Sequence, residues 1–166
     1  MLNTRLIKSI ENEMNKKPRK KKEKEIFELP KQYTKGLSKK EAKEKTENVK
    51  KTKELLKEGK KKEARELAKK RPTTKQKKQS SFTERFKKKF PNTKPETLEF
   101  AKKTGIPIKA QKDIIKRGMG AFLSAGSRAS VSSPRQWGIA RLYSFYFNKG
   151  QTFDTDLVKK YNITFK

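Results

Sequence analysis

Arginines and aspartates in the last third of the chain are the side chains best suited to chemistry. Asp154 and Asp156 have the spacing of a shared metal site, although carboxylates close to a helix start more commonly cap the helix. Within the small-residue loop 125–134, the backbone amides of Gly126–Ser130 together with Arg128 can cradle a phosphate. The loop lacks the glycine and lysine spacing of a nucleotide-binding loop and has no preceding strand. No nucleotide site is therefore predicted.

Arginine in this part of the chain differs in role from the lysine that dominates elsewhere. Its planar guanidinium forms bidentate contacts with carboxylate or phosphate, whereas lysine acts as a point charge. For Arg141 two interpretations stay open: an internal pair with Asp113, Asp154 or Asp156, or contact with phosphate. The arginines beyond residue 95 are Arg117, Arg128, Arg135 and Arg141.

The chain lacks the catalytic residue types on which most hydrolases depend, because it has neither cysteine nor histidine. This excludes disulfides, thiolate or imidazole metal sites, and Ser-His-Asp and Cys-His catalysis. We therefore expect a non-enzymatic protein without a metal or a cofactor.

Most of the positive charge and most of the aromatic side chains lie in different parts of the chain. The 166 residues carry 47 Lys+Arg against 18 Asp+Glu, a net charge of +29, and only 30% are hydrophobic. Residues 1–95 hold 34 of the basic residues, whereas ten of the aromatic side chains follow residue 95. The predicted fold is all-α: a long, Lys-rich, helical or extended arm (1–90), ordered mainly on a partner, followed by a small compact helical module (91–166).

Local signals divide the arm into helices. Ser38 and Glu41 form a capping box, and Gly59 is expected to separate two helices. Two interpretations of these helices stay open: they are solvated without a partner, or they become ordered when their lysines meet an acidic surface. A second capping box is expected at Ser81 and Glu84.

Phe82, Phe86 and Phe90 lie four residues apart and share one face of the helix after Ser81. Such a stripe usually packs on the protein's own core, and docking on a partner protein is the alternative. The stripe is therefore the candidate partner-docking site.

The C-terminal module is predicted to contain three or four short helices. Thr93 is the expected cap of the first, and Gly118 and Gly120 in the second suggest the close approach of another backbone. Ser133 and Pro134 start a helix with apolar residues on most of its circumference, so we expect it to be central, with Trp137 near the middle of the core.

One pattern of the module is recognisable. It combines an Arg-Gly pair, a small-residue loop with an arginine, a Gln-Trp pair, an Ala-Arg pair and a Ser-Phe pair. The chain thereby resembles a short uncharacterised module found in proteins of tailed phages and large DNA viruses. The resemblance covers about residues 100–160 and implies a viral source and a virion component. Its residues are Arg117–Phe122, Ser124–Arg128, Gln136–Arg141, Ser144–Phe145 and Asp154–Leu157.

Together these features predict a virion-associated basic protein, made in the host cytoplasm, that binds nucleic acid without sequence specificity. Duplex DNA is the expected partner, and no apolar run is long enough to span a membrane. The main alternative is a minor capsid or scaffold-like protein whose arm lies along acidic surfaces of the shell, and a ribosome-associated protein is a third, lesser one. The residues expected to contact phosphate are Lys16, Lys17, Arg19, Lys20, Lys21, Lys22, Lys60, Lys61, Lys62, Lys69, Lys70, Arg71, Lys87, Lys88, Lys89, Lys116, Arg117 and Arg128.

Overall fold

The computed structural model describes residues 27–75 and 78–166, and within these ranges the chain forms eight α-helices and no β-strand. The predicted all-α class is confirmed. None of the described helices is long and apolar enough to cross a membrane. The helices are α1 (Lys31–Thr34), α2 (Lys39–Lys57), α3 (Lys61–Lys69), α4 (Ser81–Lys89), α5 (Leu98–Thr104), α6 (Ile108–Ala125), α7 (Pro134–Phe147) and α8 (Thr155–Lys160).

Helices α6 and α7 pack along each other at the centre of the fold. Their backbones come close at two glycines, since a Cβ on Gly118 would lie only 2.6 Å from the Cα of Gly138. The close approach predicted at Gly118 is confirmed. For Gly120 the same prediction is wrong, because a Cβ there would meet no described atom within 4 Å.

Aromatic side chains of α4, α5 and α7 fill the core beside this crossing. Phe86 stacks on Tyr143 with 4.3 Å between ring centroids, and on Phe100 with 5.0 Å. Trp137 is only half-buried and meets Tyr33 edge-on. The prediction of Trp137 at the middle of the core is wrong, because it stands in the first turn of α7, where the helix borders a surface groove.

The N-terminal half of the described chain packs on the C-terminal half. Helices α2 and α3 pack on each other and contact α6, and α4 packs on α7. The Ser38–Glu41 capping box and the break at Gly59, whose φ is +78°, are confirmed. Packing contacts therefore cross the predicted boundary between arm and module at residue 90.

Two helices start at other residues than predicted. The side chain of Ser80, not Ser81, caps α4 by accepting a backbone N–H. Thr97, not Thr93, caps α5. Glu96 has a φ of +64°, outside the right-handed helical region, so the helix cannot begin before it.

Two cations, Lys45 of α2 and Arg71 after α3, are buried close enough to influence each other's charge. The guanidinium of Arg71 donates to the side-chain oxygen of Asn48 (3.0 Å) and to the backbone carbonyls of Phe122 (2.6 Å) and Leu123 (2.8 Å). The Nζ of Lys45 has no hydrogen-bond partner among the described residues. Burial lowers the pKa of Arg71 to about 10, and burial together with the charge of Arg71 lowers the pKa of Lys45 to about 8. Since its donors are engaged inside the chain, Arg71 is removed from the predicted phosphate contacts.

Replacing Lys45 with methionine is expected to stabilise the fold. The unfolded chain keeps the Lys45 proton up to a pH near 10.4, whereas the folded chain releases it near 8. The unfolded state therefore binds more protons in this window, and stability rises with pH through it. At pH 7 the buried charge costs roughly 3 kcal/mol, so we expect Lys45→Met to raise the free energy of unfolding by about 1–3 kcal/mol.

Urea unfolding of both proteins at pH 7, 8.5 and 10 measures this difference. The gain is expected to shrink towards pH 10, where the buried wild-type lysine is neutral in the folded state and no longer places a charge in the core. A gain that stays constant with pH would contradict the assignment to the buried charge.

Candidate nucleic-acid interface

A groove of about 750 Å³ lies between the first turns of α4 and α7. Residues of the loop between α6 and α7 line it as well, among them Ser130 and Val131. Its volume is that of a small-ligand pocket. Aromatic side chains lie along it, and none of its described lining residues is Asp or Glu. The aromatic residues are Phe82, Trp137, Tyr143 and Phe153.

The cations that line this groove are Lys78, Lys87, Arg128, Arg135 and Arg141. Two of them are paired with carboxylates, since Arg135 bonds Glu96 and the Nε of Arg141 lies 2.8 Å from Asp154. The other three side chains have no ion pair in the described part of the chain. The groove therefore carries positive charge without compensation.

A second groove, of about 620 Å³, adjoins the first and shares Lys78, Arg128 and Ser130 with it. Its described lining includes one acid, Glu41, which already accepts hydrogen bonds from Ser38; these bonds lower the pKa of Glu41. The cations of the two grooves that lack an ion pair among the described residues form a band that we call the basic channel. It consists of Lys35, Lys75, Lys78, Lys87 and Arg128.

Two helices begin at the first groove. Ser80 caps α4, and Ser133 caps α7 by accepting the N–H of Gln136, so the predicted cap of α7 is confirmed. Helix N-termini carry partial positive charge and favour anions. Both ends add to the positive potential of the basic channel.

Arg117 and Arg141 form a cluster with aspartates at the start of α8. Asp154 accepts from the Nε of Arg141 at 2.8 Å and from Arg117 at 3.1 Å, and Asp156 accepts from Arg117 at 2.6 Å. These bonds to Asp156 and Asp154 raise the pKa of Arg117, and the same contact lowers the pKa of Asp156. The internal pair considered for Arg141 is thus present, and Arg117 is committed to carboxylates rather than free for phosphate.

The carboxylate of Asp154 does not cap α8, although the residue occupies the cap position. Its φ is +56°, and its side chain makes no capping bond because both oxygens are held by arginines. The same arginine contacts oppose a metal between Asp154 and Asp156. The described residues contain no group of three possible metal ligands.

The phenylalanine stripe of α4 faces the protein's own core. Phe86 is fully buried, and Phe82 and Phe90 pack against the same cluster. Phe86 therefore contributes nothing to an exposed docking surface. Phe82 is the member of the stripe that lines the first groove.

The remaining side chains that the sequence predicts to contact phosphate differ in whether they are described, exposed or already paired. Lys16, Lys17, Arg19, Lys20, Lys21 and Lys22 lie outside the described residues. Exposed lysines without an ion pair in the described ranges are Lys61, Lys62, Lys70, Lys88 and Lys116. Lys60 pairs with Glu58, Lys69 with Glu66, and Lys89 donates to the hydroxyl of Tyr146. Of the predicted contacts, Lys87 and Arg128 lie in the basic channel.

Sequence reasoning missed Lys35, Lys75 and Lys78 as members of one surface. They belong to no long cationic run that sets them apart from the other lysines. A tertiary contact draws two of these segments together: the N–H of Thr74 donates to the carbonyl of Ala129 at 3.0 Å, next to Lys75 and Arg128. No local signal in the sequence predicts that pairing.

Comparison with known proteins identifies a family but gives no characterised relative. No curated protein and no solved structure matches the chain. A family model matches residues 30–163, which include the eight helices of the described ranges and the basic channel. The chain therefore belongs to a family of unknown function (DUF5824).

Proposed function

We propose that this protein binds nucleic acid through its phosphates, without reading the base sequence. The observation that carries the proposal is the basic channel, in which Lys35, Lys75, Lys78, Lys87 and Arg128 lack carboxylate partners among the described residues. The net charge of +29 supports it, because a polyanion is the natural partner of such a chain.

The chemistry of these side chains favours backbone contacts. Each phosphate that a lysine or arginine neutralises releases condensed counterions, so affinity depends steeply on salt. Four of the five channel cations are lysines, which bind phosphate as point charges and lack the fork that reads a guanine edge. Binding is therefore expected to tolerate any sequence.

The test compares two triple variants with equal net charge. Lys75→Gln/Lys78→Gln/Arg128→Gln removes cations from the channel, whereas Lys102→Gln/Lys109→Gln/Lys112→Gln removes exposed cations that line neither groove. Affinity for a labelled DNA duplex is measured by fluorescence anisotropy from about 0.05 to 0.3 M salt. The slope of log affinity against log salt should fall by about 3 for the channel variant, with a loss of about a hundredfold near 0.1 M.

The control variant should keep nearly the wild-type slope. Equal losses in the two variants would reject the channel as the binding surface. Wild-type affinity no better than micromolar at low salt would reject nucleic-acid binding altogether.

The biological setting that we propose is a virus particle in which the protein contacts the packaged genome. The support is the resemblance of residues 100–160 to a module of phage and large DNA virus proteins. Purified particles, opened and treated with nuclease, are washed at about 1 M salt, where the Debye length is about 3 Å. We expect the protein to leave with the genome fraction, whereas retention on emptied shells would assign it to the capsid.

A further inference from the structure

The groove between α4 and α7 combines flat aromatic side chains with cations. Trp137, Phe82 and Phe153 line it together with Lys78, Lys87 and Arg128. Trp137 is half-buried, unlike the fully buried rings of Phe86 and Phe145. Binding of phosphate by charge alone does not require a partly exposed indole ring. The groove therefore suits a ligand that has both a flat apolar part and an anionic part.

We infer that this groove holds an unpaired base of a single-stranded nucleic acid against Trp137, with the neighbouring phosphates bound by Lys78, Lys87 and Arg128. The inference rests on the proposed function and names the form of nucleic acid that its site prefers. Aromatic stacking between cations is the general mode of single-strand binding, and it tolerates any base because every base has a π-face.

The composition of the groove selects this occupant over others. The absence of Asp and Glu from its described lining disfavours a basic peptide, and the cations that lack ion pairs complement a phosphate chain. Within a duplex each base face is covered by its neighbours, so a duplex can reach the basic channel through its phosphates but cannot stack on Trp137. The volume of about 750 Å³ accommodates a nucleotide.

The chain contains one tryptophan, so its intrinsic fluorescence reports on this groove alone. The full-length protein is titrated at about 0.1 M salt with a thymidine 15-mer, with a duplex of the same length and with thymidine monophosphate. We expect saturable quenching of Trp137 by the single strand, little by the duplex, and none by the mononucleotide at the same nucleotide concentration, since it lacks the flanking phosphates.

Three variants separate stacking from charge. Trp137→Leu is expected to weaken single-strand binding about tenfold or more in anisotropy measurements and to weaken duplex binding much less, whereas Trp137→Phe should retain most of the single-strand affinity. The channel variant Lys75→Gln/Lys78→Gln/Arg128→Gln should weaken both forms. Circular dichroism checks that each variant is folded, and the wild-type titration is informative without any variant.

The outcomes distinguish the inference from the function on which it rests. Quenching by the duplex equal to that by the single strand, or equal losses for both in Trp137→Leu, would overturn the inference while leaving phosphate binding in place. Single-strand binding without any change in fluorescence would overturn it as well. Failure of all nucleic acids to bind would reject the proposed function itself. If the mononucleotide quenched Trp137 as strongly as the 15-mer, the ligand of the groove would be a free nucleotide and not a strand, and the inference would be overturned.

Discussion

Replacing Asp154 with asparagine is expected to reduce the free energy of unfolding by about 3 kcal/mol. The side chain of Asp154 is only 3% exposed and joins Arg141 of α7 to Arg117 of α6. Removing its charge leaves these guanidinium groups without their shared partner at a partly buried site. Asparagine keeps the shape of the side chain and tolerates the φ of +56° at this position, so the loss reports on the charge. We place the expected loss at the low end for broken buried pairs because both arginines retain contact with water.

The matched control is Asp156→Asn on the same cluster. Asp156 is 60% exposed, and its ion pair within the described ranges is with Arg117, so its replacement should have a much smaller effect. Chemical unfolding followed by far-UV circular dichroism measures both variants. Equal losses for the two would show that burial of Asp154 is not what gives the cluster its stability.

Replacing Phe86 with alanine is expected to cost about 3–5 kcal/mol, the usual range for truncating a fully buried aromatic side chain. Phe86 has no exposed surface and packs on Tyr143, Phe100 and Phe90. Its loss opens a cavity between α4, α5 and α7. Because a small domain is stabilised by only about 5–15 kcal/mol, the variant is expected to lose a large part of its total stability.

Lys88→Ala on the same helix is the control, since Lys88 is exposed and has no ion pair in the described ranges. Thermal unfolding of the two variants distinguishes a core residue from a surface one. If Phe86→Ala unfolded at the wild-type midpoint, α4 would belong to an arm that folds separately from residues 91–166. A lowered midpoint places α4 inside the cooperative core.

Local signals in the sequence predict most of the helix ends, because helix starts and stops depend on contacts over three or four residues. Ser38 with Glu41, Gly59 and Ser133 all mark helix ends as their residue types predict. The all-α class follows from the same local signals. The misplaced start of α5 has a local cause as well, since Glu96 with its positive φ lies outside the helix, which then begins after Thr97.

The packing of the helices sets which charged side chains are buried, which form ion pairs and which stay exposed. In the sequence Lys45 and Arg71 look like any other cations of a basic arm, yet Arg71 bonds a carbonyl 51 residues away and Lys45 is buried beside it. Arg117 and Arg128 are both module arginines, but the first meets aspartates 37 and 39 residues later while the second stays open to solvent.

The basic channel and the groove beside Trp137 also depend on tertiary packing. They exist because the segment after α3 meets the loop before α7 and α4 packs on α7. Hydrophobic burial, which is non-directional, brings these segments together, and no local pattern encodes which of the many lysines then face a common groove. For a chain with 47 basic residues, composition predicts a polyanion partner, and the packing of the helices selects the few side chains that form its site.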